Sequence, residues 1–118
     1  GGIAITKSRE LIVGDYYGTK IQRFSLNGDY IGSFEAPKGE KFSWIVGMCV
    51  DYSLGRIFLS GFWQGKIWIY SDKYEFIGSA GAHGRGKSEF MGLSALFPIG
   101  EKIWACDYFG ERVHILNL

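Results

Sequence analysis

A repeat of 46 residues is the feature of this sequence that most restricts its fold. Residues 13–26, 59–72 and 105–118 align column by column at that spacing. A second block follows the same offset, with Tyr-Ile-Gly-Ser at 30–33 and Phe-Ile-Gly-Ser at 76–79. Periods of this length are typical of arrays in which each unit stacks on its neighbours. We therefore expect tandem copies of one module, the third of them incomplete.

Three columns of the repeat carry side chains that could bind a ligand. Two adjacent columns are aromatic: the first holds Tyr16, Phe62 and Tyr108, and the second holds Tyr17, Trp63 and Phe109. The third column is basic and holds Lys20, Lys66 and Arg112. Asp15 and Asp107 share a further column, in which Gly61 stands in the second unit. We expect each Asp to accept hydrogen bonds from loop backbone N–H groups, as Asp does at turns.

Each unit divides into short segments of strand composition separated by turn residues. The predicted strands cover residues 3–6, 10–14, 20–26 and 30–34; then 48–51, 56–60, 66–71 and 75–79; and finally 93–96, 102–106 and 112–116. Asn27 and Gly28 predict a two-residue type I′ hairpin, because both tolerate positive φ. Pro98 and Gly100 predict a turn. The first two strands of each unit are nearly continuous apolar runs, which is typical of strands buried on both faces.

Four antiparallel strands in one repeat predict a blade of a β-propeller. The expected fold is all-β, a propeller segment of about two and a half four-stranded blades. We place the blades of this single partial domain at residues 1–43, 44–88 and 89–118, the last without its outer strand. A propeller removes its open faces by closing a ring, typically of at least four blades. We therefore expect further copies of the chain, or sequence outside these residues, to complete the ring.

The repeat resembles that of NHL-repeat-type β-propellers and of uncharacterised bacterial six-bladed propellers. The matching segments are Gly-Ile-Ala-Ile-Thr at 2–6, Gly-Met-Cys-Val-Asp at 47–51, Val-Gly-Asp at 13–15, Ala-Cys-Asp at 105–107, Lys-Ile-Gln-Arg-Phe at 20–24 and the glycine-rich link at 84–90. The sequence departs from the pattern at Gly61, where the acid is missing. The resemblance implies a binding or scaffold module, RNA binding in some members, and a periplasmic or cell-surface setting.

In a propeller, the connections between second and third strands share one face with the links between blades. That loop face would collect the two aromatic columns and the basic column, together with His83, Arg85 and Lys87 from a link. Aromatic and Arg side chains are enriched in binding hot spots, so we predict that a protein or small ligand binds here. We also expect one aromatic of each pair to be wedged between blades. No cofactor is indicated.

Basic residues between aromatics also suit single-stranded RNA, which binds by charge attraction and base stacking. Glu40, Glu89 and Glu111 dilute that positive charge, and the whole chain has 13 Lys+Arg against 12 Asp+Glu. RNA is therefore a possible but less favoured partner. No apolar run approaches the roughly 20 residues that cross a membrane as a helix.

Residues 81–88 read Gly-Ala-His-Gly-Arg-Gly-Lys-Ser, which fits the phosphate-loop pattern. In such a loop Lys87 would reach the phosphates and Ser88 a metal ion. The loop must open a helix on a parallel sheet, whereas Gly92, Pro98 and Gly100 leave little room for a helix. The segment also falls at a link between blades, so nucleotide binding is the less favoured interpretation.

An enzyme is the alternative class, since propeller hydrolases and lyases hold a metal ion in the central channel. The segments that would face the channel, around residues 43–45 and 89–91, offer few oxygen ligands for a hard cation. His83 and His114 form no zinc spacing. Cys49 and Cys106 lie in apolar runs, and we expect both thiols to be buried. The chain opens at Gly1 without a methionine, which favours a processed or excised piece and leaves its compartment unreadable.

Overall fold

The computed structural model describes residues 2–14 and 17–118, and all regular structure in that part of the chain is β. The strands are β1 (Ile3–Ile5), β2 (Glu10–Val13), β3 (Lys20–Ser25), β4 (Tyr30–Glu35), β5 (Ile45–Asp51), β6 (Arg56–Gly61), β7 (Lys66–Tyr70), β8 (Phe76–Ala80), β9 (Ala82–His83), β10 (Glu89–Phe90), β11 (Leu93–Ile99), β12 (Lys102–Asp107) and β13 (Arg112–Leu116). The described part of the chain contains no helix long and apolar enough to cross a membrane.

Three antiparallel sheets follow one another along the chain. Their strand orders are β1-β2-β3-β4, β5-β6-β7-β8 and β11-β12-β13, and we call them the first, middle and third sheets. Between the last two sheets, the link forms a small parallel pair in which β9 lies beside β10. The all-β class and the four-stranded antiparallel sheets expected from the repeat are therefore confirmed.

Two local predictions are wrong. The N–H of Gly28 donates to the carbonyl of Ser25 at 2.9 Å, and of the Asn27-Gly28 pair only Gly28 has positive φ, at 93°. Because a type I′ turn needs positive φ at both central residues, the connection is instead a three-residue hairpin loop that ends in a glycine bulge. The turn predicted from Pro98 and Gly100 is present at Gly100, but Pro98 itself lies inside β11, opposite Ile103. It is tolerated there because β11 is an edge strand of its sheet.

The middle sheet contributes to both hydrophobic cores. One of its faces packs Ile57, Leu59 and Trp68 against the first sheet, which supplies Ile12 and Ile21. Its opposite face packs against the third sheet, with a core that includes Phe58, Ile67, Leu93, Leu96 and Ile103.

Burial on both faces, predicted for the first two strands of every unit, holds for β6 but not for β2 or β12. Five of the six residues of β6 are buried, whereas residues of β12 alternate strictly between exposed and buried. The reason is position, because among the described residues only the middle sheet has a neighbouring sheet on each side.

The first strands of the three sheets lie side by side, with β5 between β1 and β11. Gly47 in β5 allows a close approach of β5 to β11, since a Cβ atom there would lie 2.3 Å from the carbonyl oxygen of Ser94. The Ser60 hydroxyl bridges the two sheets: it accepts from the N–H of Gly47 at 2.8 Å and donates to the carbonyl of Ser94 at 2.7 Å. Sheets that converge at their first strands are compatible with part of a propeller.

Candidate functional site

Five aromatic rings meet at one end of the sheets. Phe62 and Trp63 lie in the turn between β6 and β7, and Tyr108 and Phe109 lie in the equivalent turn between β12 and β13. Trp44 directly precedes β5. The repeat therefore places two aromatic pairs next to each other, and the start of a first strand adds the fifth ring. We call this group the aromatic cluster.

Phe62 is the centre of the aromatic cluster. Its ring centroid lies 4.4 Å from that of Trp44, 4.8 Å from that of Trp63 and 5.7 Å from that of Phe109. The rings of Trp63 and Phe109 are stacked, with centroids 6.0 Å apart and an interplanar angle of 27°. Ring pairs at these separations stabilise one another, so the cluster is a preformed surface.

The expected wedging of one aromatic per pair holds in the second unit and is wrong in the third. Phe62 is 5% exposed because the third sheet covers it, while Trp63 beside it is exposed. In the third unit both aromatics are exposed, Tyr108 at 70%, since no further sheet lies against them among the described residues. Tyr17 is exposed as well, and its neighbour Tyr16 lies outside the described residues.

The aromatic cluster borders an open groove of about 590 Å³, a volume typical of small-ligand sites. Its lining residues are Trp44, Val46, Phe62, Trp63, Ser94, Tyr108 and Phe109. Trp44 has a φ of 39°, in the left-handed region that a bulky residue rarely adopts. Such a conformation costs roughly 1–3 kcal/mol and is frequent at binding sites, where the surrounding structure enforces it.

Asp107 fixes the turn that carries Tyr108 and Phe109. Its buried carboxylate accepts hydrogen bonds from the N–H groups of Met91, Gly92 and Gly110 at 2.9–3.2 Å. Burial by itself would raise the pKa of Asp107, but these donors and the guanidinium of Arg112 outweigh burial and hold the pKa below its usual value. The predicted bonds from Asp107 to backbone N–H groups are confirmed, whereas Asp15 lies outside the described residues.

The second unit has no acid at the Asp107 position, where Gln64 and Trp68 occupy the space. A Cβ atom on Gly61 would lie 2.5 Å from Oε1 of Gln64 and 2.8 Å from the indole of Trp68. Side chains of other residues hold the link there instead: Gln64 donates to the carbonyl of Lys41 at 2.9 Å. Glu40 accepts from the indole N–H of Trp68 at 3.1 Å and from Lys66. The hydrogen bond from Lys66 lowers the pKa of Glu40, against the opposing effect of burial.

The basic column is engaged within the chain. The ammonium of Lys20 lies 3.7 Å from the carboxylate of Glu35, and Lys66 pairs with Glu40. The guanidinium of Arg112 lies 3.7 Å from Asp107 and donates to the carbonyls of two link residues, 85 and 89. The contacts of Lys66 and Arg112 anchor the links between sheets, whereas Lys20 and Glu35 pair across two strands of the first sheet. None of the three cations lines the groove.

The link residues His83, Arg85 and Lys87 are exposed, and none of them lines the groove. Within residues 81–88, the N–H of Gly86 donates to the carboxylate of Glu89, and the N–H of Gly84 donates to the carbonyl of Phe90. The chain therefore folds back on itself here, and the short strand β10 follows where a phosphate loop requires a helix.

Three groove residues were missed by sequence reasoning as binding residues: Trp44, Val46 and Ser94. Each lies at or near the start of a first strand, where neighbouring sheets converge. The repeat offered one signal for these residues. It places the start of each first strand beside the connection between the second and third strands, where the aromatic pairs lie.

Cys49 is buried, as expected, and burial, with a smaller contribution from Asp51, raises the pKa of its thiol to about 12. Cys106 is exposed, which corrects the prediction of two buried thiols. Its strand β12 has no sheet against its outer face among the described residues. Among residues 2–14 and 17–118, no group of three or more His, Cys, Asp and Glu side chains is arranged to hold a metal ion.

Comparisons with known proteins place the chain by fold alone. No family model matches the sequence, and no curated protein matches it. Among solved structures, that of U3-55K is similar, with a TM-score of 0.58 over 96% of this chain and 9% sequence identity. The chain spans 35% of the length of that structure. An arrangement like that of the three sheets therefore occurs as part of a longer folded chain.

Proposed function

We propose that this chain is a segment of an NHL-like β-propeller and acts as a binding module through its loop face. The 46-residue repeat, the convergence of the first strands and the resemblance of the repeat to NHL-type units support the propeller assignment. In this proposal the ring contains further blades, six in total by analogy with the bacterial propellers that the sequence resembles. A rigid stack of sheets suits such a role, because its loops can vary without disturbing the strands.

The observation that carries the binding proposal is the groove beside the aromatic cluster. Trp63, Tyr108 and Phe109 present exposed rings around it, supported from below by the buried ring of Phe62. Trp and Tyr are the side chains most often found at binding hot spots, and rings already packed together lose little conformational freedom when a ligand binds.

The ligand that fits this groove best is an apolar or aromatic side chain on a segment of a partner protein. The groove is lined mainly by rings, and the nearby cations Lys66 and Arg112 are paired with carboxylates. A nucleic acid would need several cations available to phosphates, so these pairings favour a protein ligand over RNA.

The test is selection from a random peptide library displayed on phage, followed by titration of the enriched peptides against the protein. We expect the enriched sequences to share a Trp, Phe or Leu anchor. Trp63→Ala should weaken their binding by about 10-fold or more, because a ring at a hot spot contributes at least about 1–2 kcal/mol. Leu54→Ala removes an exposed apolar side chain that does not line the groove and serves as the matched control.

Enriched peptides without an apolar anchor, or equal binding to the Trp63→Ala and Leu54→Ala variants, would refute the groove as the site. Metal analysis of the purified protein adds a test of the alternative class. Stoichiometric Ca²⁺ or Zn²⁺ would favour a propeller hydrolase or lyase over a binding module.

A further inference from the structure

The third sheet has an uncovered apolar face, which we call the third-sheet outer face. Phe97, Trp104 and Ile115 lie directly opposite one another on β11, β12 and β13, and Val113 pairs with Cys106 in the next row. All five side chains are exposed; the large ring of Trp104 is 38% exposed. A row of aromatic and β-branched side chains across three strands is typical of a sheet face that packs against another sheet.

The first sheet also has an apolar face turned away from the middle sheet, the first-sheet outer face. Ile3 pairs with Val13, and Ile5 pairs with Leu11, which in turn lies opposite Phe24. Ile3 is 63% exposed, and Ile5 is exposed as well. Both ends of the stack of three sheets therefore present apolar side chains to solvent.

The repeat relates these two faces to the interfaces that the chain already contains. Where the middle and third sheets meet, Phe58 and Ile67 of the middle sheet pack against a core that includes Ile103 and Ala105. Where the first and middle sheets meet, Ile12 and Ile21 pack against a core that includes Ile57 and Leu59. At an offset of 46, Ile12 corresponds to Phe58, Ile21 to Ile67, Ile57 to Ile103 and Leu59 to Ala105. The chain thus forms the same interface twice.

The two outer faces are the unused halves of that interface. In the next repeat, the positions of Phe58 and Ile67 are held by Trp104 and Val113 of the third-sheet outer face. In the preceding repeat, the positions of Ile57 and Leu59 are held by Leu11 and Val13 of the first-sheet outer face. The third-sheet outer face is therefore complementary to the first-sheet outer face and not to itself.

We propose that a second copy of this chain binds head to tail, its first-sheet outer face against the third-sheet outer face of the first copy. The occupant is a second copy because the first-sheet outer face carries apolar side chains at the repeat positions that contact the preceding sheet at both interfaces within the chain. Contacts of this type are heterologous: they close into a ring when the rotation permits and otherwise form an open array. The inference rests on the propeller part of the proposed function and is independent of the groove.

Sedimentation equilibrium of the 118-residue chain, from about 1 to 100 μM, tests the proposal. We expect association of the unmodified chain. Trp104→Glu and Ile3→Glu should each weaken association by about 30-fold or more, because an unpaired carboxylate would be buried. Ile77→Glu, on the edge strand β8 of the middle sheet, changes an exposed apolar residue outside both outer faces and should associate normally. Circular dichroism of each variant checks that the sheets are intact.

A mixture of the Trp104→Glu and Ile3→Glu variants distinguishes the two modes of contact. Each variant keeps one intact outer face, and these faces complement each other, so the mixture should form a 1:1 pair although neither variant self-associates. Self-association of Ile3→Glu, with loss only in Trp104→Glu, would show that like faces meet and would overturn the proposal. A monomer at every concentration would overturn it too, and would indicate that the ring is completed by further sheets of the same polypeptide.

Cys106 gives a readout on the unmodified protein that does not depend on how a variant folds. It occupies the repeat position of Ser60, whose hydroxyl contacts the next sheet, so a docked copy should cover it. We expect alkylation of Cys106 by iodoacetamide to slow at least about 10-fold as the chain associates; a rate that is independent of concentration contradicts the proposal. Trp63→Ala, which tests the groove, should leave this protection unchanged, so the two proposals can fail separately.

Discussion

At the scale of single residues, Asp107 links the position of the groove to that of the third sheet. Its carboxylate accepts hydrogen bonds from the N–H groups of Met91 and Gly92 in the link and of Gly110 in its own turn. A buried carboxylate held by three backbone donors is both satisfied and rigid. The hydrogen bonds of Asp107 therefore hold the backbone of the turn that carries Tyr108 and Phe109.

Asp107→Asn tests this role. The amide has nearly the same shape, but it carries no charge and replaces one acceptor oxygen with a donor NH₂ group that faces backbone donors. We expect the free energy of unfolding to fall by about 1–3 kcal/mol, measured by urea denaturation. Asp29→Asn, at an exposed position between β3 and β4, is the matched control and should change little. Equal effects at both positions would refute the role of Asp107.

His114 makes stability depend on pH. Its ring centroid lies 4.4 Å from that of Phe90. Burial, and then the charge of Arg112, lower its pKa below the ordinary 6.5, although Asp107 acts in the opposite direction. His114 therefore binds a proton less readily in the folded state than in the unfolded chain. Its contribution to the free energy of unfolding is fully present above the pKa of the unfolded chain and is lost as the pH falls through the pKa of the folded state.

We therefore expect the free energy of unfolding to decrease as the pH falls from about 7 to about 5. His114→Gln should flatten that slope, whereas His83→Gln, at an exposed position in the link, should not. Urea denaturation at a series of pH values measures both slopes. A slope that is the same in His114→Gln as in the unmodified protein would contradict the assignment. The lowered pKa of Asp107 acts with the same sign, at lower pH.

At the scale of strands, β5 is the element on which the packing of the sheets depends. It lies between β1 and β11, and its backbone lies close to that of β11 at Gly47. Gly2 and Gly92, each 45 residues away, lie directly before the first strands of the other two sheets. At position 47 a residue without a side chain is needed because two backbones come close together there.

Gly47→Ala should force β5 and β11 apart, because the added methyl group would lie 2.3 Å from the carbonyl oxygen of Ser94 and 2.5 Å from the hydroxyl of Ser60. We expect a loss of about 2 kcal/mol or more in the free energy of unfolding, measured by urea denaturation. Gly78→Ala is the control, since a Cβ atom on Gly78 meets nothing within 4 Å. Its effect should lie within about 0.5 kcal/mol. A similar loss in both variants would show that strand propensity, not packing, determines the result.

At the scale of the whole molecule, the repeat predicted most of the fold. The period and the alternation of strands and turns predicted every strand of the three sheets to within a few residues, because turn residues mark the ends of the strand segments in the sequence. Pro98 was misplaced because its tolerance within β11 depends on that strand being at an edge, a property of the assembled sheet. The short strands β9 and β10 were missed since their pairing depends on how the link folds back.

The candidate site was predicted only in part. The aromatic columns identified Phe62, Trp63, Tyr108 and Phe109, because side chains in equivalent turns come together when the sheets stack. Trp44 could not be found in this way, since its place in the cluster depends on an unusual backbone conformation before β5. The charged positions were selected by residue type alone, and type does not reveal that Lys66 and Arg112 have carboxylate partners nearby.

The two sheet junctions in this chain use the same columns of the repeat, and this has a consequence for its evolution. A duplication or deletion of one whole 46-residue unit would bring together surfaces that already match, so the number of units can change without any new contact having to arise. Loss of a fraction of a unit would break the correspondence. Changes in length among descendants of this sequence should therefore occur in whole repeats.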